Sequence, residues 1–130
     1  MGKKYLIDSN VIIDYMANII PEKGTNFVEN IFNTQFLISV ITKIEVLGYN
    51  DLPNKMSAMG NFISLSEILS LNETITEKTI ELKRTFRKMK LGDAIIAATA
   101  IDGNLILITR NVDDFKFIPN FTVVNPYEIE

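Results

Sequence analysis

The run DAIIAATAIDGNLILI, Asp93–Ile108, decides how the chain folds. Its first half, Ala94–Ile101, is apolar nearly all round, as in a helix buried within a core rather than laid on a surface. Asp102-Gly103 ends that helix. Leu105–Ile108 then supplies four apolar residues without alternation, the pattern of a strand buried on both faces. A buried helix feeding such a strand belongs to a parallel sheet covered by helices on both sides.

The flanking sequence extends the pattern. Upstream, Thr74 opens a long helix with Ile75, Thr79, Leu82, Phe86 and Met89 at helical spacing, broken at Gly92, and Asp93 starts the next. Tyr5–Ile7 reads as a short buried strand. Asp8-Ser9-Asn10 supplies N-cap chemistry for a helix through Val11, Ile12, Tyr15, Met16 and Ile19, stopped by Pro21, with Gly24 in the following loop. A second helix is expected over Thr25–Asn33, and a strand over Phe36–Val40. Thr42 and Glu45 have capping-box spacing and should open a short helix that ends near Gly48. Pro53–Phe62 reads as helix, Ile68–Leu71 as a weak strand and Phe121–Val124 as an edge strand. The expectation is one α/β domain over residues 1–130, with a mainly parallel central sheet flanked by helices (α/β/α).

Composition narrows the chemistry. The 130 residues include no cysteine and no histidine. Disulfides, thiolate catalysis, zinc fingers, a histidine general base and a Ser-His-Asp triad are therefore excluded. Polar chemistry must rest on carboxylates, hydroxyls, amides, lysine and arginine. Thirteen basic and 16 acidic residues give a net charge of −3, so any nucleic-acid binding must come from a local patch. Only three apolar residues follow Lys3-Lys4 before Asp8, too few for a signal-peptide core, and no apolar run approaches a membrane span. A soluble, cytoplasmic protein without membrane association is expected.

Ligands of open parallel sheets sit beyond the carboxyl ends of the strands. Asp8 follows the first strand. Thr42 and Glu45 follow the second. Thr109-Arg110-Asn111 and then Asp113-Asp114 follow the strand at Leu105–Ile108, and Asp93 opens the helix that feeds it. Such carboxylates form an oxygen cage for one or two hard cations, Mg2+ or Mn2+. Each acid also has a local reading. Asp8 and Asp93 are candidate N-caps, Glu45 the partner of Thr42 in a capping box, and Asp113 and Asp114 solvated loop acids. Capping and metal binding are compatible roles.

Four stretches carry a family resemblance. Asp8-Ser9-Asn10-Val11 resembles the D-[ST]-N-[VIL] opening of PIN-domain nucleases. Thr42-Lys43-Ile44-Glu45-Val46-Leu47 resembles their second acidic motif. Leu91-Gly92-Asp93-Ala94-Ile95-Ile96-Ala97-Ala98 resembles the third, and Ile108-Thr109-Arg110-Asn111-Val112-Asp113-Asp114-Phe115 the last. They occur in family order and span Leu6 to Phe115. The short chain and the TRNxxDF ending are similar to the toxin subunits of VapBC-type toxin–antitoxin pairs. The resemblance implies a PIN-like fold and an Mg2+- or Mn2+-dependent endoribonuclease, with an RNA substrate and a cognate antitoxin. It implies that Asp8, Glu45 and Asp93 are metal-binding and catalytic acids. Many members carry a further acid where this chain has Asn111. Asp114 is then the matching fourth acid, with Asp113 as the alternative. Without histidine, cleavage through paired imidazoles is impossible, and metal-assisted hydrolysis is the simplest route. Ser9, Thr42, Thr109 and Asn111 are candidates to orient the carboxylates.

Lys83, Arg84, Arg87, Lys88 and Lys90 put five of the 13 basic residues into eight positions. The first four are candidates to track RNA phosphates, and the same stretch also reads as a solvated helix end. Arg110 is the single best candidate for the scissile phosphate. The first helix offers more apolar side chains than one core face needs, which suits an antitoxin groove or a homodimer contact. The rival readings are an inactive PIN-fold interaction module and a non-toxin RNA-processing nuclease. A receiver domain needs an acidic pair after the first strand, where Asp8 is followed by Ser9. A haloacid-dehalogenase-like phosphatase needs D-x-D, where Asn10 stands at the third place. No nucleotide-binding glycine motif occurs.

Overall fold

The computed structural model describes residues 2–130. Five short strands run β1 (Tyr5–Ile7), β2 (Leu37–Ser39), β3 (Glu67–Leu69), β4 (Ile106–Ile108) and β5 (Val123–Val124). They form one sheet in the order β3-β2-β1-β4-β5, and every neighbouring pair is parallel. Six helices connect or follow them: α1 (Ser9–Met16), α2 (Glu22–Thr34), α3 (Val40–Leu47), α4 (Pro53–Ile63), α5 (Glu73–Thr85) and α6 (Leu91–Gly103). The α/β/α expectation holds. None of the helices among the described residues is long and apolar enough to cross a membrane.

The sheet is buried on both faces because alternate residues of its central strands enter different cores. Leu6, Leu37 and Leu107 pack with α6 and with Ile75 and Leu82 of α5. Ile7, Ile38 and Ile108 pack with Val11 and Ile12 of α1, Val28 and Ile31 of α2, Val46 of α3 and Ile63 of α4. Register keeps the two sets apart, since Leu6 pairs with Leu107 and Ile7 with Ile108. A strand covered on both sides has no polar face, which is why Leu105–Ile108 lacks alternation.

Several boundaries differ from expectation, each for a local reason. The first helix ends at Met16, and Asn18 turns the chain out of it in a left-handed conformation (φ 58°). Ile20 is still buried, but from the loop. Gly24 lies inside α2 rather than in a loop, and a Cβ there would fall 1.9 Å from the Pro126 carbonyl oxygen. Glycine is needed because the C-terminal segment crosses directly over the helix. The long helix stops at Thr85, so Met89 fills the core from a turn. The last helix starts at Leu91, with Asn104 in the left-handed conformation after its end.

Candidate active site

The carboxyl ends of β1, β2 and β4 open onto one edge of the molecule. Asp8 leaves β1 with its backbone N–H still donating to the Ile108 carbonyl (2.9 Å), so the sheet itself sets its position. Its side chain is buried and fully engaged. Oδ1 accepts from the Ser9 N–H (2.8 Å), while Oδ2 accepts from the Thr109 hydroxyl (2.8 Å) and the Asn10 amide (3.2 Å). Asp8 does precede α1, but its carboxylate takes the N–H of the next residue, not those deeper in the first turn that a cap serves. Thr109 has no exposed surface and acts as a hub. Its oxygen donates to Asp8 and accepts from the Asn10 amide (3.1 Å) and the Asn111 backbone N–H (3.1 Å).

The capping-box reading of Thr42 and Glu45 is overturned. β2 ends at Ser39, and the Ser39 hydroxyl caps α3 by accepting from the Ile41 N–H (3.1 Å). Thr42 is therefore already inside the helix. Glu45, one turn further on, accepts from the Ser9 hydroxyl (3.1 Å), which ties it to the loop that carries Asp8. Thr42 is fully buried, and its hydroxyl has no hydrogen-bond partner, so it does not orient any carboxylate as placed.

Asp93 is the third residue of α6, not its cap; Lys90 holds the cap position. Asp114 lies in a short 3-10 turn, Val112–Asp114, after β4. The electrostatics link these acids to Asp8 and Glu45. Burial, then the charges of Asp114 and Asp8, push the Asp93 carboxyl up to about 6 against a downward pull from Lys90; Glu45 adds to the push. Burial raises Asp8, opposed by its hydrogen bonds and reinforced by Asp114. Burial also raises Glu45, with the Ser9 bond opposing and the Asp8 charge adding. Asp113 is engaged differently: its exposed carboxylate pairs with Lys116 at 2.9 Å. Of the two candidates for fourth acid, Asp114 is the one whose charge reaches Asp8 and Asp93.

The donor set is all oxygen, which suits a hard divalent cation. Among the described residues no group of three or more acids stands ready to enclose an ion. What the acids share is mutual repulsion with little cationic relief, and a divalent ion would offset it. In donor chemistry, Asp8, Glu45, Asp93 and Asp114 fit such an ion.

The candidate cations divide into those paired within the chain and those beside the acids. The Arg110 guanidinium is paired with Asp14 at 2.8 Å, and the Arg110 N–H donates to Asn10 Oδ1 at 2.9 Å. Lys83 donates to the Met89 carbonyl (2.6 Å), which pins the turn after α5. Lys83 and Arg84 lie in the last turn of α5, whereas Arg87 and Lys88 stand on that turn and border a groove that also contains Asp93, Asp113 and Asp114.

Three contributors were missed from the sequence. Asn10 bonds to Asp8, Thr109 and Arg110 and so links the two loops of the site. Asp14 is 5% exposed and accepts from both Arg110 and the Tyr127 hydroxyl. An aspartate amid apolar helix residues, four places after Asn10, was a readable signal for Asp14. Nothing in the spacing pointed to Tyr127.

This architecture has relatives. A family model described as PIN domain matches residues 5–119. Ribonuclease VapC2 of Rickettsia felis is 30% identical over 130 aligned positions, covering 93% of this chain and 96% of that protein. A toxin–antitoxin complex from Klebsiella pneumoniae superposes with a TM-score of 0.78 at 33% identity, over 97% of this chain and 100% of that one. The structure of VapBC2 from Rickettsia felis bound to a DNA fragment from its promoter gives a TM-score of 0.79 at 25% identity, over 93% of this chain and 97% of that one.

Proposed function

The chain belongs to the PIN-domain family, and on that premise we propose that it is a divalent-metal-dependent endoribonuclease, the toxin of a toxin–antitoxin pair acting in the cytoplasm. The observation that carries this reading is the set of Asp8, Glu45, Asp93 and Asp114. They come from four separate elements, and their charges act on one another. Those four acids would hold the ion, in preference to Asp113, whose carboxylate is paired with Lys116. A divalent ion such as Mg2+ or Mn2+ held there would supply positive charge for activating water and for offsetting charge on the phosphoryl oxygens.

The chain's own residues prepare that chemistry. Thr109 and Asn10 fix the Asp8 carboxylate, so its orientation is set before RNA arrives. Ser9 fixes Glu45 in the same way. Asp93, whose proton affinity in the metal-free chain is raised by burial and by the charges of Asp114 and Asp8, is an acid whose ionised form the bound ion would favour. Arg87 and Lys88 attract the RNA backbone toward the groove. An apolar groove between α1, α3 and α4, lined by Ile13, Met16, Leu47, Met56 and Met59, is the seat for the antitoxin segment. The toxin–antitoxin complexes among the structural relatives support an antitoxin partner.

The test is cleavage of a labelled structured RNA by the purified chain with Mn2+ and with chelator, joined to thermal melts in both. Wild type should cut only with metal. Asp8→Asn and Asp93→Asn should each lose roughly a hundredfold or more in rate while remaining folded. Mn2+ at a hundred times its dissociation constant should stabilise wild type by about 2.7 kcal/mol, and Asp8→Asn by clearly less. Wild-type-like cleavage by Asp8→Asn, or superimposed wild-type melts, would sink the reading.

A further inference from the structure

The groove beside the acids contains two aromatic rings that the proposed chemistry leaves unused. α5 stops at Thr85 because Phe86 leaves helical geometry (φ −116°, ψ 80°). The Phe86 ring is half-buried against the core, and Phe117 meets it edge-on, with centroids 4.8 Å apart at 62°. Phe115 and Ile118, on either side of Phe117, are both buried, so the backbone carrying that ring is anchored. Phe117 itself stays 44% exposed. Both rings border the groove that holds Arg87, Lys88, Asp93 and Asp114. Among the described residues neither Arg87 nor Lys88 takes part in a salt bridge.

An anchored, exposed ring in a groove shared with cations and acids matches the chemistry of an unstacked nucleobase. Every base has a π-face that stacks on an aromatic side chain, and cations beside the ring take the flanking phosphates. A duplex hides its base faces, so only a single-stranded or looped region can use such a ring. Resting on the ribonuclease reading of the acids, we propose that Phe117, braced by Phe86, is a stacking platform for one unpaired base of the RNA. Arg87 and Lys88 hold the phosphates next to that base, and the strand continues toward Asp93 and Asp114.

The test measures binding on an Asp8→Asn background with Mg2+, so that RNA is held without being cut. The probes are a fluorescein-labelled twelve-nucleotide oligoadenylate and an abasic phosphodiester of equal length. F117L should weaken oligoadenylate binding about tenfold and leave the abasic probe unaffected. The salt dependence should keep its slope, because the phosphate contacts remain. F117W should restore binding. The chain has no other tryptophan, so its indole emission reports directly and should be quenched by oligoadenylate but not by the abasic probe. Equal loss for both probes, loss for neither, or unquenched F117W emission overturns the platform. Metal-dependent cleavage by the chain with Asp8 intact is a separate readout, so the platform and the nuclease reading fail separately.

Discussion

Asp14 and Arg110 form an ion pair at 2.8 Å across 96 positions of chain, joining the end of α1 to the loop that follows β4. The aspartate is buried and the arginine half-exposed. Tyr127 donates its hydroxyl to the same carboxylate oxygen, so the C-terminal segment closes over the pair. The Arg110 backbone is in turn held by Asn10, which also touches Asp8. A guanidinium in an obvious place for a phosphate contact is therefore occupied in holding the site together.

Arg110→Met should therefore act first on stability. It leaves a buried carboxylate with only Tyr127 as partner, a loss of about 1–3 kcal/mol once the exposure of the arginine is allowed for. Asp14→Asn combined with Arg110→Met should cost less than the sum of the two single changes. Denaturant unfolding of the four proteins measures this. Cleavage that falls with no change in stability would return Arg110 to the scissile phosphate.

Thr109→Val keeps the shape and removes the hydroxyl. The Asn111 N–H and the Asn10 amide lose an acceptor, and Asp8 loses its best-placed donor. Unpaired buried polar groups cost about 1–3 kcal/mol. Cleavage should fall about 10–100-fold, as for other changes behind a metal ligand. Thr109→Ser should recover most of both. Equal damage from Ser and Val would mean the methyl group, not the hydroxyl, is what matters.

The acids also set a pH dependence. The Asp93 carboxyl titrates near 6 when folded and near 3.8 when unfolded, so between those values the folded chain holds the extra proton. Its contribution to stability is complete below the lower value and is lost as pH rises through about 6. Asp8 and Glu45 are shifted in the same direction. In chelator, Tm should be higher at pH 5 than at pH 7.5, and Asp93→Asn should narrow the difference. An unchanged difference in that variant would assign the effect to other groups.

The sheet was readable because its strands carry the signature of burial in their own residues. Tyr5–Ile7, Phe36–Val40 and Leu105–Ile108 each contain the strand the structure forms. Helix ends were less legible where core packing imitates periodicity. Met89 and Ile20 are buried like helix residues, yet reach the core from turns. Thr42 and Glu45 matched a capping box by spacing alone, whereas Ser39 won the cap because β2 ends there. The acids could be located from the strand ends. Ser9 and Thr109, which brace them, were nameable as well, whereas the contact of Asp14 with Tyr127 was not, since it spans 113 positions and no local pattern encodes such a meeting.

The distance along the chain between Asp8 and Thr109 has a consequence in time. Thr109 leaves the ribosome 101 residues after Asp8, with Asp114 later still. β1 gains its β4 neighbour only then. At about 5–20 residues per second, the growing chain spends several seconds with its first acid unbraced and its fourth acid not yet made. A site assembled from residues about 100 positions apart stays incomplete until synthesis has reached the later ones. That delay gives a partner made alongside it time to be waiting when the last turn closes.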